Sequence, residues 1–109
     1  MFKSKRDMSR AARDSKNYSA KLAEIFVSVQ SDREMEELIT DWLTPAERKD
    51  LWERWCIVDM LLRGNSQRSI RDELRVSISK VTRGSRELQF GTGAFRRVWD
   101  RIAKGKKLP

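Results

Sequence analysis

The stretch RSIRDELRVSISKVTRGS, residues 68–85, decides the fold of this chain. Its few apolar side chains recur at helical spacing on either side of a break around residues 75 and 76, among hydroxyls and charges. This pattern predicts two short helices, joined by a tight turn at roughly a right angle. The thin apolar contact between them would consist of Ile70, Leu74, Val76, Ile78 and Val81.

Two such helices at residues 66–88 predict a helix-turn-helix. In this motif the N-terminal end of the second helix enters the DNA major groove, while the first helix crosses the DNA backbone. We expect phosphate or base contacts from the cations, base-edge contacts from the hydroxyls and a thymine methyl against Ile78. The predicted DNA-binding residues are Arg68, Arg71, Ser77, Ile78, Ser79, Lys80 and Thr82. The structural alternative is a helical hairpin with a solvated basic face.

Two positions in the turn carry further expectations. Ser77 is a candidate N-cap for the second helix, whose free amides would suit phosphate. Arg75 stands where this motif often has glycine, and a left-handed backbone there would cost an arginine roughly 1 kcal/mol.

The charge of the chain favours a polyanionic partner. The 109 residues contain 24 Lys and Arg against 16 Asp and Glu, a formal net charge of +8. Residues 1–21 and 96–109 are strongly basic, whereas 22–43 carry six acids and one base. The positive field is therefore directional, which fits binding to duplex DNA.

The same composition argues against other classes of function. With no histidine and only one cysteine, Cys56, we expect no catalytic residues, no metal site and no cofactor. No apolar run is long enough to span a bilayer or to form a secretory signal, so we expect no membrane association. A single thiol, expected to be buried, fits the reducing cytoplasm.

The remaining segments predict an all-α domain of six helices over residues 16–104. A flexible basic arm would precede it at 1–15, and a basic tail would follow at 105–109. Tyr18, Leu22, Ile25, Phe26 and Val29 mark the first helix. Capping patterns start two more, with SDRE at 31–34 as a capping box and TPAE at 44–47 placing Pro45 at the first helical position.

The longest helix follows TPAE and should end before Gly64, a candidate for positive φ. Its predicted apolar face consists of Leu51, Trp55, Val58, Leu61 and Leu62. Trp52 lies off this face, which indicates a helix packed between neighbours. GTG at 91–93 then separates the helix-turn-helix from a last amphipathic helix.

Residues 40–90 resemble the Trp repressor family. The resemblance rests on LTPAERKDLWERWCIVDMLLRG, then SQRSIRDEL, then VTRGS, in that order. It implies an intertwined homodimer in which L-tryptophan, as corepressor, sets the tilt of the two DNA-contacting helix pairs. Successive major grooves lie about 34 Å apart, so two symmetric pairs would read two half-sites.

The resemblance also implies a ligand site. The indole would lie between the guanidinium groups of Arg54 and Arg83, and the ligand carboxylate would meet Arg83 and the Thr44 hydroxyl. Backbone carbonyls near Asp41 and Leu43 would accept from the ammonium group.

Three departures from the family pattern bear on function. Glu87 stands where the family usually has a serine near the ligand ammonium; it would hold the ammonium, repel the carboxylate or pair with Arg83. The loop between LLRG and SQR is one residue shorter, and Arg75 and Ser77 replace typical glycines. From the resemblance as a whole we expect a tryptophan-regulated repressor of tryptophan biosynthesis or transport genes. The alternatives are a relative with another ligand or none, and a helical protein-interaction module.

Overall fold

The computed structural model describes residues 17–105, which divide after Thr44 into two compact units. This part of the chain contains six α-helices and no strand, which confirms the all-α prediction. They are α1 Tyr18–Val27, α2 Asp32–Trp42, α3 Pro45–Leu62, α4 Gln67–Leu74, α5 Ile78–Phe90 and α6 Ala94–Gly105. The arm predicted at 1–15 and residues 106–109 of the predicted tail lie outside the described residues. Within 17–105, no helix has the length and apolar character needed to cross a membrane.

The first unit is built from α1 and α2. The Ser31 hydroxyl accepts from the Glu34 N–H at 3.1 Å, as the predicted capping box requires. The Glu34 carboxylate accepts in turn from the N–H of Gln30 at 2.9 Å, one residue before the cap. The rings of Phe26 and Trp42 meet edge to face with centroids 5.8 Å apart, which joins the two helices. Val29 was predicted in the first helix, but α1 ends two residues earlier.

In the second unit α3 is the scaffold on which α4, α5 and α6 pack. A small core of Ile57, Ile70 and Val81 forms where α3, α4 and α5 meet, with Leu74 and Val76 packed against it. The apolar contact predicted between the two short helices is thus present. Ile78 is the exception, since this first residue of α5 is 40% exposed.

The buried surface of α3 differs from the predicted face. Leu51 is half exposed, whereas Ile57, which was not assigned to that face, is 1% exposed. The reason is that α4, α5 and α6 all pack on α3, so its buried surface is not a single stripe. Cys56 is half-buried rather than buried. Burial, with the nearby charges of Asp59 and Glu53, raises the pKa of its thiol, which disfavours the reactive thiolate.

The last helix is fixed to α3 by polar and aromatic contacts. The indole N–H of Trp99 donates to Asp59 Oδ1 at 2.8 Å, and the same oxygen accepts from Arg63 Nε at 3.0 Å. The Arg63 guanidinium carbon lies 5.9 Å from the Trp99 ring centroid, within cation–π range. Trp55 and Phe95 add a tilted ring pair at 6.2 Å.

Two left-handed residues shape the connections around α4. Gly64 has φ 92, as predicted for the end of α3, and Asn65 closes the shortened loop by donating its N–H and side-chain amide to the Met60 carbonyl. Arg75 has φ 56 and ψ 45, and its N–H donates to the carbonyl of Arg71. It is the one non-glycine residue of positive φ within 17–105, so the predicted strain is present.

Candidate nucleic-acid interface and ligand pocket

The first turn of α5 is capped by Ser77 and is largely exposed. Ser77 has the extended backbone of an N-cap, and its hydroxyl accepts from the Lys80 N–H at 3.2 Å, as predicted. Ser77, Ile78, Ser79 and Thr82 are all exposed. The other amides of the first helical turn have no partner in an α-helix, so this end offers donors and a partial positive charge.

The helix before it, α4, presents its two predicted arginines differently. Arg68 is exposed, whereas Arg71 is half-buried and its Nε lies 2.9 Å from Asp72 Oδ1. Thr82 Oγ1 donates to Gln67 Oε1 at 3.0 Å, a hydrogen bond that connects α5 to the start of α4. The base contact predicted for Thr82 would have to share this hydroxyl.

Lys80 is engaged within the protein. Its Nζ donates to Asp50 Oδ1 and to Glu53 Oε1, both at 2.9 Å, and so ties the first turn of α5 to α3. The hydrogen bonds to Asp50 and Glu53, together with their negative charges, raise the pKa of the Lys80 ammonium above its ordinary value. The DNA contact predicted for Lys80 remains a prediction, and in this arrangement its ammonium points to carboxylates.

Asp50 is shared between two cations. Its Oδ2 lies 2.9 Å from Arg54 Nη2, while Oδ1 accepts from Lys80. The hydrogen bond from Lys80, together with the positive charges of Arg54, Lys80 and Arg83, lowers the pKa of Asp50 despite an opposing effect of burial. Asp50 is thus ionised at neutral pH and connects residues of α3 and α5.

A pocket of about 340 Å³ lies between α3 and α5, at the lower end of the usual size range for small-ligand sites. It brings together Arg54, Arg83 and Glu87, three of the six residues predicted for the ligand. Three cationic side chains, one carboxylate and an apolar floor suit a small zwitterion with an aromatic or apolar body. The pocket is lined by Arg54, Ile57, Val58, Lys80, Arg83, Gly84, Glu87 and Phe95.

The other three predicted ligand residues lie in the first unit. Asp41 is in the last turn of α2, and Leu43 follows it with an extended backbone and donates its N–H to the Ile39 carbonyl at 3.0 Å. Thr44 immediately precedes α3. Their part in ligand binding remains a prediction.

Sequence reasoning missed Gly84, which lets α5 approach α3 at the pocket floor. A Cβ built on Gly84 would lie 2.8 Å from Ile57 Cγ2, closer than real Cβ atoms come to a neighbour. A glycine inside a helical pattern is a signal of close packing, and this one follows Arg83 directly. The pairing of Lys80 with Asp50 and Glu53 had no comparable local signal.

The profile of the Trp repressor protein family matches residues 18–103, which spans all six helices. The chain belongs to the Trp repressor family. This family consists of DNA-binding transcription regulators, which confirms the predicted class and the expectation that the chain is not an enzyme.

Curated relatives agree with this assignment. The chain is 41% identical over 69 residues to a Trp operon repressor homolog of Vibrio campbellii, covering 62% of this chain and 69% of the relative. It is 35% identical over 69 residues to a Trp operon repressor homolog of Chlamydia trachomatis serovar L2, covering 62% and 73%. No solved structure gave a significant match.

Proposed function

We propose that this chain is a sequence-specific repressor that binds operator DNA as an intertwined homodimer, with L-tryptophan as corepressor. Genes of tryptophan biosynthesis or transport would be its targets, and the cytoplasm its location. The observation that carries the proposal is the pocket that joins Arg54, Arg83 and Glu87 directly behind the exposed first turn of α5. A ligand there touches both α3 and the helix proposed to enter the groove.

For DNA binding, α4 and α5 would act as the helix-turn-helix. Ser77, Ser79 and Thr82 supply hydroxyls at the capped end of α5, and exposed Ile78 supplies an apolar contact suited to a thymine methyl. Arg68 and Arg71 on α4 would contact phosphates and position the pair without reading sequence. The net charge of +8 supports association with duplex.

For ligand binding, the two guanidinium groups of Arg54 and Arg83 would stack on the indole faces. Arg83 and Thr44 would hold the carboxylate, while Glu87 and the carbonyls of Asp41 and Leu43 would hold the ammonium. Arg83 and Glu87 are four residues apart on α5, yet no ion pair joins them among the described residues. Both charges are therefore available to a zwitterion.

The apolar surface of a single chain supports the homodimer. The described residues bury only four apolar side chains almost completely, while exposed ones include Trp42, Leu51, Trp52, Phe90 and Phe95. Covering these groups would provide the hydrophobic free energy that one chain lacks, and a two-fold axis would present two copies of α5 to successive major grooves.

Ligand and DNA would be coupled through the position of α5. A ligand that binds one orientation of α5 better than others shifts the protein toward that orientation, by a typical 1–3 kcal/mol, which is roughly 5–150-fold in DNA affinity. The coupling is reciprocal, so operator DNA would raise tryptophan affinity by the same factor.

Glu87 supports one second candidate, a repressor of the same architecture that answers to a different small molecule. A carboxylate in the pocket favours ligands with a cationic group and disfavours those with only an acid. Indole compounds lacking either the ammonium or the carboxylate would separate the two candidates in the same titration.

Isothermal titration of the chain with L-tryptophan tests the ligand assignment. Wild type should bind, and Arg83→Ala should lose at least about tenfold in affinity because a charge-assisted contact and a stacking partner disappear. Arg86→Ala is the matched control: Arg86 is exposed on the same helix and does not line the pocket. Equal affinities for wild type and Arg83→Ala would refute the pocket.

A further inference from the structure

We propose that Asp50 and Glu53 hold Lys80 away from DNA and that Asp50 links this ion pair to Arg54, so that the four residues form the positioning element between ligand pocket and DNA-contacting helix. The inference rests on the proposed function for its ligand. It reassigns Lys80, predicted as a DNA contact, to an internal role.

The geometry of this charge network, defined as Asp50, Glu53, Arg54 and Lys80, is continuous. Asp50 uses one oxygen for Lys80 and the other for Arg54, each at 2.9 Å. Lys80 uses a second of its three ammonium donors on Glu53, also at 2.9 Å. The contacts from Lys80 span 30 and 27 residues of sequence and join two helices, unlike an ion pair within one helix.

Charge within the network sums to zero, with two carboxylates and two cations. Lys80 therefore adds little positive potential toward a phosphate, although it stands in the first turn of α5. Its side chain is 41% exposed, and those of Asp50 and Glu53 are 34% and 23% exposed. Partial burial weakens screening by salt, so these contacts should depend less on salt concentration than contacts to exposed phosphates.

The network meets the ligand site at Arg54 and Lys80, which both line the pocket. The ion pair with Asp50 holds one edge of the Arg54 guanidinium. The flat face of the guanidinium, which would stack on an indole, is not used by this ion pair. Asp50 also fixes Lys80, so a ligand that selects one orientation of Arg54 selects the positions of Asp50 and of the first turn of α5. This gives the coupling a path of direct contacts within one compact unit.

Removal of Lys80 and removal of the two carboxylates should have different effects on DNA binding. Lys80→Met should leave the salt dependence of ligand-free DNA binding unchanged, since Lys80 makes no phosphate contact. The same variant should also reduce, at least about threefold, the factor by which L-tryptophan increases DNA affinity, which is a substantial part of a typical coupling. In Asp50→Asn/Glu53→Gln, Lys80 is released, and the slope of log affinity against log salt should steepen by about 0.9, one added phosphate contact.

The measurement is fluorescence anisotropy of labelled duplex at several salt concentrations, with and without L-tryptophan, using full-length protein. Lys49→Met is the matched control, because Lys49 is on α3 with Asp50 and Glu53, is 77% exposed and lies 4.0 Å from Glu53. Lys80→Arg should retain the coupling. A slope shallower by about 0.9 in Lys80→Met, with tryptophan enhancement intact, would overturn the proposal, since it makes Lys80 a phosphate contact.

Failure of the proposed function gives a different result. If wild type binds no duplex, or binds it equally with and without L-tryptophan, the proposed function is wrong. A double-mutant cycle of Asp50→Asn and Lys80→Met, measured by urea unfolding, then tests the network alone. Non-additive changes in the unfolding equilibrium constant support it, and strictly additive changes overturn it. Circular dichroism of each variant verifies that the helices remain.

Discussion

Replacement of Arg75 by glycine should stabilise the protein. The φ of 56 and ψ of 45 coincide with the ideal left-handed helical conformation, which costs an L-residue roughly 1–2 kcal/mol. Glycine removes this cost, but the greater entropy of its unfolded chain destabilises the folded state by about 0.5–1 kcal/mol. The Arg75 side chain is exposed, so we expect a net gain of about 0.5–1 kcal/mol per chain.

Urea and thermal unfolding followed by circular dichroism measure this gain, at equal chain concentration because a dimer's stability depends on it. The midpoint should rise by roughly 2–8 °C for a domain of this size. Arg75→Ala is the control: it removes the same charge but keeps a Cβ, so its stability should stay within about 0.5 kcal/mol of wild type. If Arg75→Gly is no more stable than Arg75→Ala, the backbone strain assigned to this turn is wrong.

Three further outcomes are expected. Ser77→Ala should lose about 0.5–2 kcal/mol of unfolding free energy with its cap, whereas Ser79→Ala should not, as compared by urea unfolding. Gly84→Val should cost about 1–3 kcal/mol and abolish tryptophan binding in calorimetry, because its side chain meets Ile57; retained binding would contradict the close approach of α5. The Asp50–Lys80 pair should stabilise the fold fully between pH 3.8 and 10.5, their ordinary pKa values, and lose its effect as pH falls through the lowered pKa of Asp50 or rises through the raised pKa of Lys80. The stability difference between wild type and Asp50→Asn should therefore shrink in acid; a difference independent of pH would count against the pair.

Local rules accounted for most of the fold. Caps and breaks act over three or four residues, so Ser31, Pro45, Gly64 and Ser77 marked helix ends correctly. The strained turn at Arg75 was predictable because this motif often has glycine in its turn, where Arg75 stands.

Contacts between distant residues could not be predicted in this way. The exposure of Leu51 depends on which sides of α3 the other helices cover, and the partners of Lys80 lie 27 and 30 residues away. For the pocket, Arg54, Arg83 and Glu87 came from the resemblance to the family. Gly84 was visible only as a glycine within a helix, and its role required the distance to Ile57.

The proposed function is tested most directly by the affinity of the protein for labelled duplex from upstream of a tryptophan biosynthesis or transport gene, measured with and without L-tryptophan. Wild type should bind the duplex more tightly with L-tryptophan, by roughly 5–150-fold, and should lose affinity steeply as the salt concentration rises. In Arg83→Ala the response to L-tryptophan should vanish while the salt dependence remains. Binding that is insensitive to salt, or identical with and without L-tryptophan in the wild-type protein, would contradict the function as a tryptophan-regulated repressor.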